Sequence, residues 1–430
     1  MGVERGARER TPGRYQPRRP SESVLYRCVQ QHLETWLAQC REGHDDDAPV
    51  PPYVEREFRR YLDCGILARG FARARCAQCG HDFLIAFSCQ GRGVCPSCNT
   101  RRMVATAAHL TDHVLPDLPV RQWVLAVPKR LRYFLHRDAG LQGAALRLFL
   151  RVVEQCLRAH SPGAGSTARL GAVAFIHRFG STLNAHLHFH CVVIDGVFDA
   201  AAAGGVVFHA ATGIEADAIA EVQACVRRRL LRVFVRRGLL PGDDAQAMGQ
   251  WQHGGGFSVD ASVRIEAADR AGRERLLRYC ARPPFALDRL RELDPERLLY
   301  QSTKPGPSGN GSLLLTPLEL LDRRAALVPP APTAIAISAS SPPTRPCALR
   351  SPPSRRGRPP RRPASRQPAC PRAATLALAT ARKCAEKRAE QPVVTANGRL
   401  TRPICSSTLS PVRLKWLFDI HPPANPIRCN

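Results

Sequence analysis

The residues with the most chemistry in them lie in Asn184-Ala185-His186-Leu187-His188-Phe189-His190-Cys191-Val192-Val193-Ile194-Asp195-Gly196, where imidazoles alternate with apolar side chains ahead of a β-branched run. Side chains on a strand change face at every residue, so His186, His188 and His190 project from one face and Leu187 and Phe189 from the other. A lone strand histidine is most often a hydrogen-bonded core or surface residue. Three at i, i+2 and i+4 differ: neutral imidazole is the commonest metal ligand, and unpartnered imidazoles on a half-buried face would cost desolvation energy. Three imidazoles in a row on one face therefore predict a metal site. His186 is a convenient third ligand by alternation, but strand rise puts it roughly 13 Å from His190, and a side chain from elsewhere competes with it.

A second ligand set is Cys76-Ala77-Gln78-Cys79 and Cys95-Pro96-Ser97-Cys98, two C-x2-C knuckles with 15 residues between them. That spacing suits a tetrahedral four-cysteine zinc site, in which two tight turns grip one ion and close a module with little core of its own. Four protein ligands leave no open position, so the predicted role of the zinc is structural. Cys64, His81 and Cys89 lie nearby; each could replace a ligand, and packing is the simpler reading of all three.

Tyr279 is the candidate nucleophile. Glu266 to Ala281 has helical periodicity and Pro283-Pro284 would stop it, so Tyr279 falls in the last turns of a helix between Arg278 and Arg282. A tyrosine flanked by arginines is a mediocre core residue and a good nucleophile toward a phosphodiester, because the cations favour phenolate and can hold phosphate. Arg101 and Arg102 beside the second knuckle suit phosphate contacts, and a solvated surface explains them almost as well. Lys129, Arg130 and Arg132, interleaved with Tyr133 and Phe134, suit a single-stranded nucleic-acid surface; the alternative is a helix with a charged outer face. Arg227, Arg228, Arg229, Arg232, Arg236 and Arg237 read as another solvated face.

The elements that must position these groups follow from periodicity. Residues 1–20 form a basic, proline-interrupted arm without an apolar stretch, which predicts disorder and no secretory signal. Val24, Leu25, Cys28, Val29, Leu33, Trp36 and Leu37 fall on one stripe of a predicted helix, and Tyr53 to Leu62 predicts a second. A helix from Arg101 to His113, a strand from Arg121 to Val127 and a helix from Leu141 to Ala159 follow. Gly171 to Phe179 and His186 to Ile194 read as a hairpin across Gly180 to Asn184, with a third strand at Val206 to His209 and a helix from Glu215 to Gly238.

The 430 residues carry a formal charge of +27, and no apolar run approaches the roughly 18 residues of a membrane span. A polyanion, DNA first, is the expected partner and the cytoplasm the expected compartment, where the 17 cysteines serve as thiols or metal ligands rather than disulfides. Residues 331–430 hold +15 of that charge and 17 of the 37 prolines. Such a tail reads as disordered and DNA-binding.

Three segments carry a family resemblance: Ser88-Cys89-Gln90-Gly91-Arg92-Gly93-Val94-Cys95-Pro96-Ser97-Cys98, the strand Asn184 to Gly196, and Leu276-Leu277-Arg278-Tyr279-Cys280-Ala281-Arg282-Pro283. Together they resemble the rolling-circle transposases of the insertion-sequence-91 and common-region class, which are HUH endonucleases of bacterial mobile elements. The resemblance covers about residues 21–330. It implies an α+β chain: a helical, zinc-binding domain at 21–115, then at 120–330 a catalytic domain of antiparallel sheet flanked by helices. It makes His188-Phe189-His190 the metal-binding pair and Tyr279 the nucleophile that nicks one DNA strand through a 5′-phosphotyrosine. Mg2+ or Mn2+ is the implied catalytic ion, single-stranded element ends the implied substrate, and the nucleoid the implied location. Arg275 stands where two-tyrosine relatives carry a second tyrosine, so the chain resembles the single-tyrosine branch.

Back-translation of Thr333 to Ser341 with suitable codons lets a neighbouring frame spell the family's usual continuation. A frameshift near Pro330, leaving 331–430 as sequence without an evolved role, is thus a second reading of the tail. A replication initiator or relaxase of the same chemistry, and a decayed transposase acting only as a zinc-dependent DNA-binding protein, are the competing functions.

Overall fold

The computed structural model describes residues 18–42, 50–75, 80, 82–201, 205–302, 311–329 and 335–338. The N-terminal part runs α1 (Val24–Glu42), α2 (Pro52–Asp63), β1 (Phe71–Arg75), β2 (Asp82–Ala86) and α3 (Pro96–His109). The middle part runs β3 (Val120–Ala126), α4 (Lys129–Arg137), α5 (Ala139–Ala159), β4 (Ala172–Phe179), β5 (Ala185–Ile194), β6 (Gly196–Ala200), β7 (Val206–Ala210), α6 (Ala216–Arg236) and α7 (Gly242–Gln250). The chain then continues through β8 (Ser258–Asp260), β9 (Arg264–Ile265), α8 (Arg270–Cys280), β10 (Leu290–Asp294), β11 (Arg297–Gln301), β12 (Ser312–Leu315), α9 (Pro317–Ala326) and β13 (Ile335–Ser338).

The central sheet is antiparallel throughout, in the order β13-β4-β5-β3-β8, with β9 also on β3. Alternation along β5 splits its neighbours into two layers. Leu187, Phe189, Cys191 and Val193 join Trp123 and Leu125 of β3 in a core covered by α4, α5 and α6. His188, His190, Val192 and Ile194 take the opposite face, where Val192 and Ile194 pack with Leu276, Leu277 and Cys280 of α8. Helix α5 is set by its sequence: the Asp138 carboxylate accepts from the Leu141 amide at 2.9 Å as an N-cap, and Leu141, Ala145, Phe149, Val152 and Val153 form its buried stripe.

A second core crosses the expected boundary between the N-terminal and catalytic domains. Leu25, Leu33, Trp36, Phe58 and the knuckle residues Cys95 and Cys98 pack with Phe285, Leu298, Tyr300, Leu315, Leu320 and Leu321. The N-terminal module is thus closed by residues 285–328. Arg324 of α9 is fully buried there, donating to the Gly93 and Val94 carbonyls at 3.0 and 2.7 Å with its guanidinium 4.3 Å over the Phe285 ring. Burial pushes its pKa down to about 10.

Several expectations change in detail. Val206–Ala210 is a strand, but it pairs with β6 outside the main sheet. The helix expected from Glu266 starts at Arg270 because the Asp269 carboxylate caps it, accepting from the Gly272 amide at 2.7 Å. Asp195 is no simple turn residue: its buried carboxylate takes Arg121 at 2.9 Å and Arg264 at 2.6 Å, and Gly196 follows because a Cβ there would collide with the His209 carbonyl. Ile335–Ser338, inside the tail expected to lack structure, forms an edge strand on β4. Residues 331–334 and 339–430 lie outside the described residues, as do residues 1–17 of the N-terminal arm. Among the described residues no helix is long and apolar enough to cross a membrane.

Candidate metal centres and active site

The three imidazoles that converge are His177, His188 and His190, whose ligand atoms all lie within 4.8 Å of one another. His186 is not among them. Its ring stacks edge-on to His188 at 5.0 Å, and its Nδ1 lies 3.3 Å from the Arg132 guanidinium, at the margin of the cluster. The third position comes instead from β4, where His177 is directly opposite His188. Cross-strand partners share a face, so the pair meets without any turn contribution.

A one-residue irregularity places His177. Phe179 pairs with Ala185, which would set His177 opposite Leu187 if continued, but the register shifts between His177 and Phe179. The bulge moves every residue of β4 before it by one partner, and so brings His177 to the imidazole side.

Hydrogen bonds orient each ring. The Cys280 carbonyl lies 2.6 Å from His177 Nε2, and the His186 carbonyl 3.0 Å from His188 Nδ1. A carbonyl accepts only from N–H, so these contacts leave the lone pairs on His177 Nδ1 and His188 Nε2. His177 Nδ1 is buried and has no hydrogen-bond partner. The Gln122 amide lies 2.8 Å from His190 Nδ1 and fixes the third ring from β3. Burial pushes His177 down to about 3 and His188 to about 4, so both are neutral near pH 7, as ligation requires. Three oriented imidazoles fit a divalent ion and leave coordination positions for substrate.

Tyr279 stands beside this cluster. It is 43% exposed, its ring centroid is 5.7 Å from that of His190, and the Arg282 guanidinium lies 4.1 Å over its face. The carbonyl held by His177 belongs to Cys280, the next residue, so one hydrogen bond ties the end of α8 to the imidazole centre. Tyr279, His188, His190, Arg282 and Arg101 all line a cleft of about 2450 Å³, whose lining also includes Phe71 and Phe87. Arg275 pairs with Asp269 at 3.6 Å, and Arg278 with Glu274 at 2.5 Å. Of the other expected DNA-contacting residues, Arg102 donates to the Gln90 carbonyl at 2.8 Å and Arg130 pairs with Asp244. Arg132 donates to the Val127 carbonyl at 2.7 Å, and Lys129 is exposed at the start of α4; none of these lines the cleft.

The thiol cluster joins Cys95 and Cys98 to Cys64 and Cys89. Cys76 and Cys79, the expected first knuckle, lie outside the described residues, as does His81. Sulfur separations are 3.6 Å for Cys64 to Cys98, 3.6 Å for Cys64 to Cys95 and 3.5 Å for Cys89 to Cys98. A tetrahedron with Zn–S of about 2.3 Å requires about 3.8 Å, so the four thiols fit zinc. Backbone amides already point at the sulfurs: Cys89 N–H at 3.3 Å from Cys64 Sγ, and Gly91 N–H at 3.3 Å from Cys89 Sγ across left-handed Gln90. Hydrogen bonds from the other three thiols hold Cys64 well below the usual thiol range. The sequence brings Cys64 and Cys89 into view beside the knuckles but favours packing for both. The cue it lacks is that α2 ends at Cys64, against the second knuckle.

An antiparallel sheet bearing three converging imidazoles is thus joined to a four-thiol module. A family model described as "Transposase zinc-binding domain" matches residues 27–127, and one described as "Putative transposase" matches residues 171–335. No curated protein and no solved structure matches the chain. The two models, in this order along the chain, place it in the insertion-sequence-91 transposase family, whose partner is DNA and whose four-cysteine site holds structural zinc.

Proposed function

We propose that this transposase nicks and rejoins single-stranded DNA through Tyr279, with His177, His188 and His190 holding Mg2+ or Mn2+. The observation that carries the reading is the placement of an exposed tyrosine, under an arginine, next to three oriented imidazoles in one cleft. A divalent ion there would supply Lewis-acid polarisation of the scissile phosphate. The chain's own groups do the rest. Arg282 and Arg101 hold phosphate charge in the cleft, while Phe71 and Phe87 offer rings for unpaired bases. Tyr279 Oη attacks phosphorus as the bond to the 3′-oxygen breaks; the phenol proton leaves to water, and the 3′-oxygen takes one up as a free hydroxyl. The 5′-phosphotyrosine keeps the phosphodiester energy for rejoining, and the sequence contains no G-x-x-x-x-G-K-[ST] loop for a nucleotide. One tyrosine in this helix, with Arg275 at the alternative position, supports a single-nucleophile cycle.

A frameshift near Pro330 that displaces residues 331–430 is a separate proposal, carried by the back-translation of Thr333 to Ser341; the transposase match itself runs to residue 335. Sequencing the gene tests this: an adjacent frame without the family continuation ends that reading. The activity is tested on oligonucleotides from the element's flanks with Mg2+ or Mn2+. A covalent adduct that forms with the wild type and vanishes in Tyr279→Phe is the expected result. Binding to correctly chosen ends with no adduct would leave a DNA-binding protein without nicking activity.

A further inference from the structure

The arginines of α6 that the sequence presents as a solvated face do not lie on a plain surface. With α5 and α7 they form a groove of about 1060 Å³. Arg228, Arg232 and Arg236 recur at i, i+4 and i+8 along α6, one step of about 6 Å per turn, and Arg147 and Arg151 face them from α5. All five are exposed, and among the described residues none has an ion pair to a carboxylate. The groove lining contains no acidic residue at all.

This departs from the molecule's own habit. On α2, α5 and α8 an arginine four residues from a glutamate is paired with it: Arg59 with Glu55 at 2.8 Å, Arg158 with Glu154 at 3.0 Å, Arg270 with Glu274 at 3.1 Å; Arg323 of α9, four residues after Glu319, donates instead to the Thr182 carbonyl. Like charges at i, i+4 repel and weaken a helix, so α6 carries a stripe that costs stability until an anion neutralises it. The lining also lacks aromatic side chains, in contrast to the imidazole cleft with its Phe71, Phe87 and Tyr279. Cations without stacking rings suit a duplex, whose bases are already stacked and whose phosphates alone are offered.

The groove is also remote from the chemistry. Helices α5 and α6 bury Phe149, Val153, Val226, Leu230 and Phe234 against the sheet face that carries Leu187 and Phe189, and the imidazoles project from the other face. We infer that the α5–α6–α7 groove is a second, sequence-independent site that binds the phosphate backbone of duplex DNA, so that one chain holds a duplex and a single strand on opposite sides of its sheet. The existence of the groove does not depend on the nicking chemistry.

The test uses the full chain and labelled duplex DNA, comparing wild type with a variant carrying Arg147→Gln, Arg151→Gln, Arg228→Gln, Arg232→Gln and Arg236→Gln. Each phosphate that is no longer neutralised should lower the slope of log K against log salt by about 0.9. A fall of about 3 to 5 is therefore expected, with single-strand binding unchanged and a melting temperature that does not fall, because removing like charges at i, i+4 relieves repulsion along α6. The matching set of lysine substitutions should restore the slope. A folded glutamine variant with wild-type duplex affinity and slope overturns the proposal. So does a duplex that displaces a bound single strand mole for mole, since that would place both on one surface. The tail is common to every variant and cancels from the comparison, and adduct formation by Tyr279 is a separate readout that can fail or succeed independently.

Discussion

The thiol cluster and the imidazole cluster are built from opposite materials for opposite ends. Four sulfurs at tetrahedral spacing complete a coordination shell and leave no vacancy, so an ion there can only hold the chain together. Three imidazoles on a rigid antiparallel sheet leave the shell incomplete beside an exposed tyrosine. The thiols tie a turn and two helix ends into the second core, whereas the imidazoles sit on strands whose own apolar core lies on the other face of the sheet. Loss of metal should therefore unfold one region and only silence the other.

The sharpest break in that comparison is at the thiols. Structural zinc is worth on the order of 10 kcal/mol, as much as the whole stability of most domains. Cys64→Ser should lose zinc and melt the N-terminal core, while Cys76→Ser keeps one zinc per chain; zinc analysis with circular dichroism checks both, and the reverse pattern would restore the paired C-x2-C set. Next comes the clasp on that core. Arg324→Met should cost about 3 kcal/mol by leaving the Gly93 and Val94 carbonyls without a donor, measured by urea unfolding, while a neutral effect would show that water replaces the guanidinium.

At the imidazoles the effects move from folding to ion affinity. His177→Ala should weaken Mn2+ binding at least about 100-fold with the zinc retained, read by calorimetry, whereas His186→Ala should change it less than about threefold. Equal losses in the two would return His186 to the ligand set. Gln122→Ala, which removes only the group orienting His190, should fall between them at about 10-fold to 100-fold.

The elements were legible because their buried stripes follow helix and strand periods: α1, α5 and β5 appear at the expected residues. His188 and His190 were legible for the same reason. His177 was not, because a loop-centred register pairs it with Leu187 and only the bulge before Phe179 turns it to the site. Cys64 lies 25 residues from Cys89, and its nearness to the others is set by tertiary packing rather than spacing. The groove on α6 was hidden in a different way: a run of arginines looks the same whether or not acids sit across from it, and only the placement of α5 and α7 shows that none do.

The second core has a consequence for how the molecule is made. Its first half ends at Cys98 and, apart from Leu183, its second half begins at Phe285, so the ribosome must deliver most of the catalytic sheet in between. At about 5–20 residues per second this leaves an interval on the order of ten to fifty seconds in which the knuckle thiols exist without their lid. Zinc bound during that time would hold the thiols together before their lid arrives, so the order of synthesis favours early metal capture on the way to the native state.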